Sequence, residues 1–387
     1  MPPRMWPLAA MAIALMSLPG CRADGSTGPA ASSSAAVPEA QASRSHCGAG
    51  WSRAAAGLVQ VRVRNTDVNA EEVFLADGSG RLYGEIDPLA PGATAVLRTT
   101  LSAGDYHLVC SVNDGTPVHG PKVSVTGAAK GVRGVQPVTS ADLAPKVIAY
   151  QKWVEHRLTT LQGEAKSLST ALRSGHRDTA QAAWKQANRT WNTMGGAYGA
   201  FGDLGDAIAG NAFPFAQGVH DPHWTGLLRI EYGLWHGESP ASLARLGGVL
   251  ETDLTALGKQ LKTTQFQPLD VVRRTHEITE DTLQQTLTGH EDYGAHSELA
   301  DATAQLDGTA ELLKVLRPLL APRYPELSKV NSWITKSRND IRAQKSWTVT
   351  PRGGTAAAGH RRVDADIAQL AELLTPIPTI LEPRVFR

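Results

Sequence analysis

Apolar and polar positions alternate in short runs between Leu58 and Gly127. The run "LVQVRVRN" alternates strictly, and "EEVFLAD", "RLYGEI", "TAVLRTTL", "DYHLVCSVND" and "KVSVTG" follow it. Turn signals separate them: "DGSG", "APGA", "SAGD" and "NDGTP". Short strands at this spacing predict a β-sandwich, bounded here as residues 47–134. After "GVRGVQP" the period changes from two residues to between three and four, and stays there. "SADLAPKVIAYQKWVEHRLTTLQGEAKSLSTALRSG" runs from a candidate N-cap at Ser140 to Gly175, and Ala183, Trp184, Ala187, Trp191 and Met194 share a face of the next segment. Further helices are expected over 223–236, 239–262, 268–288, 296–320, 324–344 and 361–375. Short connections and no intervening strand pattern predict an all-helical bundle over 140–387, long enough for two packed bundles.

The N-terminus has a different texture. Arg4 precedes the apolar run "MWPLAAMAIALMSL", too short to span a bilayer and followed by "SLPGC". This resembles a lipoprotein signal over residues 1–20, with Cys21 lipidated as the first mature residue. Residues 21–46, rich in Ser, Ala, Gly and Pro, read as a flexible tether. The expected location is the outer face of a cell membrane, reached through the lipid. Lipidation of Cys21 leaves Cys47 and Cys110, and in an oxidising compartment such a pair is expected to form a disulfide.

Composition removes one class of partner. The net charge is +1 with 19% charged residues, and no basic run interleaved with aromatics is present, so nucleic acid is not an expected ligand.

One short stretch poses the chemical question. In "TGLLRIEYGLWHG", residues 225–237, Glu231 falls at the border of an apolar helical face formed by Leu227, Ile230 and Leu234. A carboxylate there calls for a cation, a metal or hydrogen bonds, because burying it unpaired costs several kcal/mol or shifts its pKa.

Four motifs carry a family resemblance: "GAYGAFGDLGDAI", "HDPHWTGLLRIEYGLWHG", "THEITEDTLQQTLTGHEDYGAHSELADATAQLDGT" and "LEPR". In order and spacing they resemble the signatures of the EfeO/imelysin-like proteins. The resemblance implies a cupredoxin-like β-sandwich followed by an imelysin-like double four-helix bundle. It also implies a lipid-anchored component of an iron uptake system, working with a membrane iron permease and a haem peroxidase. The implied ligand motif is His-x-x-Glu on a bundle helix, a spacing that sets an imidazole and a carboxylate on one face, as suits a first-row divalent metal.

This chain departs from that pattern. Leu228 stands where the family has histidine, Trp191 and Asn192 replace a Tyr-Glu pair, and Gly205 replaces the second carboxylate of an Asp-Leu-Asp loop. The retained candidates for an iron site are Asp203, Glu231, His296 and Glu298, with Glu277 and Glu280 as acidic neighbours. His296 and Glu298 are two residues apart and diverge by roughly 200° on a regular helix, so both can reach one ion only if a helix begins between them.

Three further readings bear on function. A blue-copper site needs a thiolate, two imidazoles and commonly a Met, whereas the β-domain offers His107, His119 and a Cys110 expected in a disulfide, and the one Met beyond the signal is Met194. Copper in that form is not expected, although His46, His107 and His119 are surface imidazoles able to collect an ion. A zinc peptidase would show His-Glu-x-x-His, and neither "HEITED" nor "HEDYG" completes it, so no enzyme is expected. The alternative to iron binding is a paralogue whose metal site has decayed and which serves as a cell-envelope interaction or scaffold protein.

Overall fold

Nine strands precede ten helices in the computed structural model, which describes residues 37–112, 115–347 and 358–384. The proposed signal and Cys21 lie outside these residues. The strands are β1 (Glu39–Ala42), β2 (Arg53–Ala55), β3 (Gly57–Asn65), β4 (Glu71–Asp77), β5 (Leu82–Leu89), β6 (Thr94–Leu101), β7 (Gly104–Ser111), β8 (Val118–His119) and β9 (Val123–Thr126). They build one sheet of order β1-β3-β6 and a second of order β2-β9-β7-β4-β5, with β8 paired to β7.

Alternation explains the sandwich. Val59, Val61 and Val63 of β3, Val73 and Leu75 of β4, and Tyr106, Leu108 and Cys110 of β7 all turn into one buried cluster. Cys47 and Cys110 are joined by a disulfide with a Cα–Cα separation of 5.8 Å. The expected tether is corrected at its C-terminal end, because β1 pairs in parallel with β3 and buries Ala40 and Ala42. Two alanines give no large apolar signal, so this edge strand is held by its backbone ladder and was invisible to alternation.

The helices are α1 (Ser140–Ser174), α2 (Arg177–Asn192), α3 (Tyr198–Ala209), α4 (Leu227–Trp235), α5 (Pro240–Gln260), α6 (Pro268–Asp281), α7 (Glu298–Leu320), α8 (Leu327–Arg342), α9 (Ala358–Leu374) and α10 (Pro376–Leu381). Thr139 rather than Ser140 caps α1, in a reciprocal box with Asp142, and Gly175 closes the helix with φ 72°. The helices form two apolar cores. One gathers Val154, Leu161, Trp184, Ile230 and Leu250 from α1, α2, α4 and α5. The other gathers Leu316, Ile334, Val363, Leu370 and Leu381 from α7 to α10. Helices α6 and α7 contribute to both, through Ile278 and Leu312 to the first and Val272 and Leu306 to the second.

Sandwich and bundle are latched at the chain's C-terminal end. Arg384 donates to both carboxylate oxygens of Glu85 at 2.6 and 2.7 Å, and its backbone N–H donates to the carbonyl of Val138 at 2.8 Å. Arg323 adds bonds to the carbonyls of Gln136 and Pro137. The bidentate geometry is the strong form of a carboxylate pair.

Candidate metal centre

Where both cores share α6 and α7, the packing leaves a cavity of about 280 Å³. Its wall includes Trp191 and Asn192 of α2, Asp206 of α3, Leu228 of α4, Arg274 and Asp281 of α6, and Asp301 of α7. A π turn, Thr282–Thr286, follows α6 directly and brings Gln285 and Thr286 to the wall. The remaining segment, residues 291–298, carries Glu291, Asp292, Ser297 and Glu298.

Four devices hold that segment in shape. Glu231, fully buried on α4, accepts the backbone N–H groups of Tyr293 and Ala295 through Oε1, each at 2.9 Å. Asp292 accepts the N–H of Gly294 at 2.8 Å and that of Ser297 at 3.0 Å. Gly294 has φ 126° and lies against Trp235, where an added Cβ would stand 2.8 Å from the tryptophan Cβ. Ser297 donates to Asp301 at 2.6 Å. Helix α7 then begins at Glu298, after His296 with φ 51°.

That left-handed residue decides the chemistry. It breaks the helical phase between His296 and Glu298, so the two side chains converge instead of diverging. One donor atom each from Asp292, His296 and Glu298 lies within 4.8 Å of the others. Donors on one ion with bonds of about 2.1 Å are separated by up to about 4.2 Å, so a small closing movement brings the three together. The cluster is graded in burial: His296 is exposed, Asp292 intermediate and Glu298 buried.

Electrostatics agree with a site that wants a cation. Burial pushes the carboxyls of Glu298 and Glu291 above their ordinary value. It takes Asp301 to about 7, against the lowering effect of Ser297. Glu231 is pushed up to about 8, again chiefly by burial and despite its two backbone donors. The Oε2 atoms of Glu298 and Glu231 have no hydrogen-bond partner among the described residues. At the cavity's other end Arg274 is already committed, to Asp281 at 2.8 Å and Glu277 at 3.3 Å.

The four sequence candidates therefore separate. His296 and Glu298 come together; Glu231 sits behind the loop as its clamp, with backbone amides and not an arginine as partners; Asp203 is exposed and absent from the cavity wall, which takes Asp206 from the same helix. Sequence reasoning missed Asp292. Its signal was the Asp-x-Gly spacing of an Asx turn beside "AHSEL". Leu228, Trp191 and Asn192, three of the four positions where the resemblance led to an expected ligand, line this cavity, while Gly205 is buried and absent from its wall.

Comparison with known proteins agrees with this architecture. The Peptidase_M75 family model, described as Imelysin, matches residues 147–377. The iron uptake system component EfeO of Shigella boydii serotype 4 (strain Sb227) is 25% identical over 328 residues, which cover 82% of this chain and 86% of that protein. The protein of the same name from Escherichia coli O1:K1 / APEC is 26% identical over the same span, and that of Escherichia coli (strain K12) is 26% identical over 282 residues, 73% of this chain and 74% of its own length. With most of its helical half matched by the family model, this chain belongs to the EfeO/imelysin-like family.

Proposed function

We propose that this protein is a lipid-anchored, extracytoplasmic component of an iron uptake system that binds iron through Asp292, His296 and Glu298. It hands the ion to a membrane permease, with a haem peroxidase as a further partner. The observation that carries the reading is the convergence of the three donor atoms within 4.8 Å, with Asp292 and Glu298 on the wall of an acidic cavity. Two carboxylates and an imidazole are a donor set suited to a first-row divalent ion, with water filling the remaining positions. The process is binding without turnover: the sequence contains no His-Glu-x-x-His and so lacks the paired imidazoles and base of a zinc peptidase of that type. Exposed His296 and buried Glu298 give the ion a solvent side and a buried side, and proton uptake by the carboxylates favours its release.

One observation favours a second reading, a cell-envelope scaffold with a decayed site. Leu228, Trp191 and Asn192 line the cavity where the family resemblance calls for ligands. Equilibrium dialysis of the protein against micromolar Fe2+ without oxygen separates the two. Iron binding predicts about one retained equivalent per chain, and no retained iron would leave the scaffold.

A further inference from the structure

A second constellation lies on the sandwich, remote in sequence from the carboxylate site. Tyr106, Leu108 and Cys110 of β7 face the core, so His107 faces outward. Strand β8 pairs antiparallel with β7 in the register Val109↔His119, which sets His119 on the same face as His107, one diagonal step away. Their rings meet there: Nε2 of His107 is 3.2 Å from Nδ1 of His119, with centroids 5.3 Å apart and planes inclined by 41°.

We propose that His107 and His119 form a two-imidazole clip for a borderline divalent cation, Cu2+ before Zn2+ or Ni2+, separate from the proposed iron site. Two nitrogens bonded to one ion at about 2.0–2.1 Å and subtending a square or tetrahedral angle lie about 2.9–3.4 Å apart, a range that contains the separation of this pair. In the metal-free pair one facing nitrogen donates its proton to the other. Binding moves that proton to the far nitrogen of the same ring, so both imidazoles stay neutral and no proton is lost. The rings then swing toward a common point by rotation about χ2, a broad and soft torsion.

The scaffold keeps both ligands in place without the metal. Strand β7 lies between β4 and β9, and its Cys110 is bonded to Cys47. Gly120, next to His119, donates its N–H to the carbonyl of Leu108 at 2.8 Å and packs so closely on the carbonyl of Cys47 that an added Cβ would lie 2.6 Å from that oxygen. Asp77 lends negative potential to His107, while its carboxylate is held by Ser79, Arg81 and Tyr83. Burial, and then the neighbouring His119, lowers the pKa of His107, in the direction of the neutral ring. Neutral imidazoles follow the Irving–Williams order, which favours Cu2+ over Fe2+ at such a pair. This site needs no cysteine thiolate, unlike the blue-copper arrangement.

The test is a Cu2+ titration of the full chain carrying His296→Asn and Glu298→Gln, followed by calorimetry and electron paramagnetic resonance. The proposal expects about one bound Cu2+ with superhyperfine coupling to two nitrogens. His107→Asn or His119→Asn in that background should weaken binding at least tenfold and remove one nitrogen coupling. Unchanged affinity in the double His107→Asn, His119→Asn variant would overturn it. Thermal melting without metal checks that the variants fold, and if they do not, the nitrogen count of the parent decides: fewer than two equatorial nitrogens overturns the clip.

Discussion

Glu231 is a carboxylate whose main task in this fold is to hold backbone. Its two accepted N–H bonds tie the 291–297 segment to α4, and replacing it by Ala leaves both amides without their acceptor. Glu231→Ala should therefore cost about 2–4 kcal/mol in denaturant unfolding. Glu231→Gln keeps an oxygen for the same amides and removes the titratable proton. The group's folded pKa of about 8 lies above its ordinary 4.5, so the folded chain holds a proton that the unfolded chain releases between those values. Its contribution to stability is thus largest at low pH and falls as pH rises through that window. Stability curves of wild type and Glu231→Gln at pH 5 and pH 8.5 check this: the variant should lose less on going to pH 8.5, and an equal loss would assign the raised pKa no energetic role. Apolar patterning showed that Glu231 was misplaced for an ordinary surface carboxylate. It could not show the reason, because the partners are backbone amides 62 and 64 residues away in sequence.

The decisive element is the entry into α7. His296 adopts φ 51° and Glu298 is the first helical residue, so the chain turns from loop to helix between two prospective ligands. A helix starting two residues earlier would send them to different sides. Asn tolerates left-handed backbone but offers no imidazole, whereas Ala tolerates it poorly. His296→Asn should weaken Fe2+ binding about tenfold with little change in melting temperature, while His296→Ala should also lose about 1 kcal/mol of stability. Equal melting temperatures for the two variants would mean that the left-handed turn carries no such constraint. Position 228 belongs to the neighbouring element, α4, and its side chain lies on the same cavity wall as Asp292 and Glu298. Leu228→His should raise iron affinity by about tenfold, one added ligand's worth, measured by anaerobic calorimetry; no gain would put the cavity's two ends beyond one ion's reach. The sequence period located α4 and α7 to within a few residues because their buried apolar residues recur at helical spacing, Leu227, Ile230 and Leu234 in the first and Leu306, Leu313 and Leu320 in the second. Asp292 escaped because its role depends on an Asx turn and on a clamp from another helix, neither of which leaves a periodic trace.

At the scale of the molecule, strand alternation and helical period were enough to read a sandwich followed by a helical bundle. The latch between them was not legible: "LEPR" stood out as a family signature, but only the fold brings Arg384 to Glu85 across 299 residues. The Arg384 side chain is 11% exposed and that of Glu85 33%, so solvent reaches the pair from the glutamate side. Arg384→Ala should cost about 1–3 kcal/mol and bring sandwich and bundle closer to separate unfolding transitions, read by near-ultraviolet circular dichroism against far-ultraviolet signal. A single unchanged transition would mean that apolar packing alone couples them.

The proposed iron site consists of three side chains gathered by one loop, and its sharpest test is the anaerobic Fe2+ titration of wild type beside Glu298→Gln and Asp203→Asn. Wild type and Asp203→Asn should each bind about one equivalent with equal affinity, and Glu298→Gln should bind at least tenfold more weakly. Equal affinity in all three, or a loss in Asp203→Asn matching that in Glu298→Gln, would contradict the assignment of iron to Asp292, His296 and Glu298.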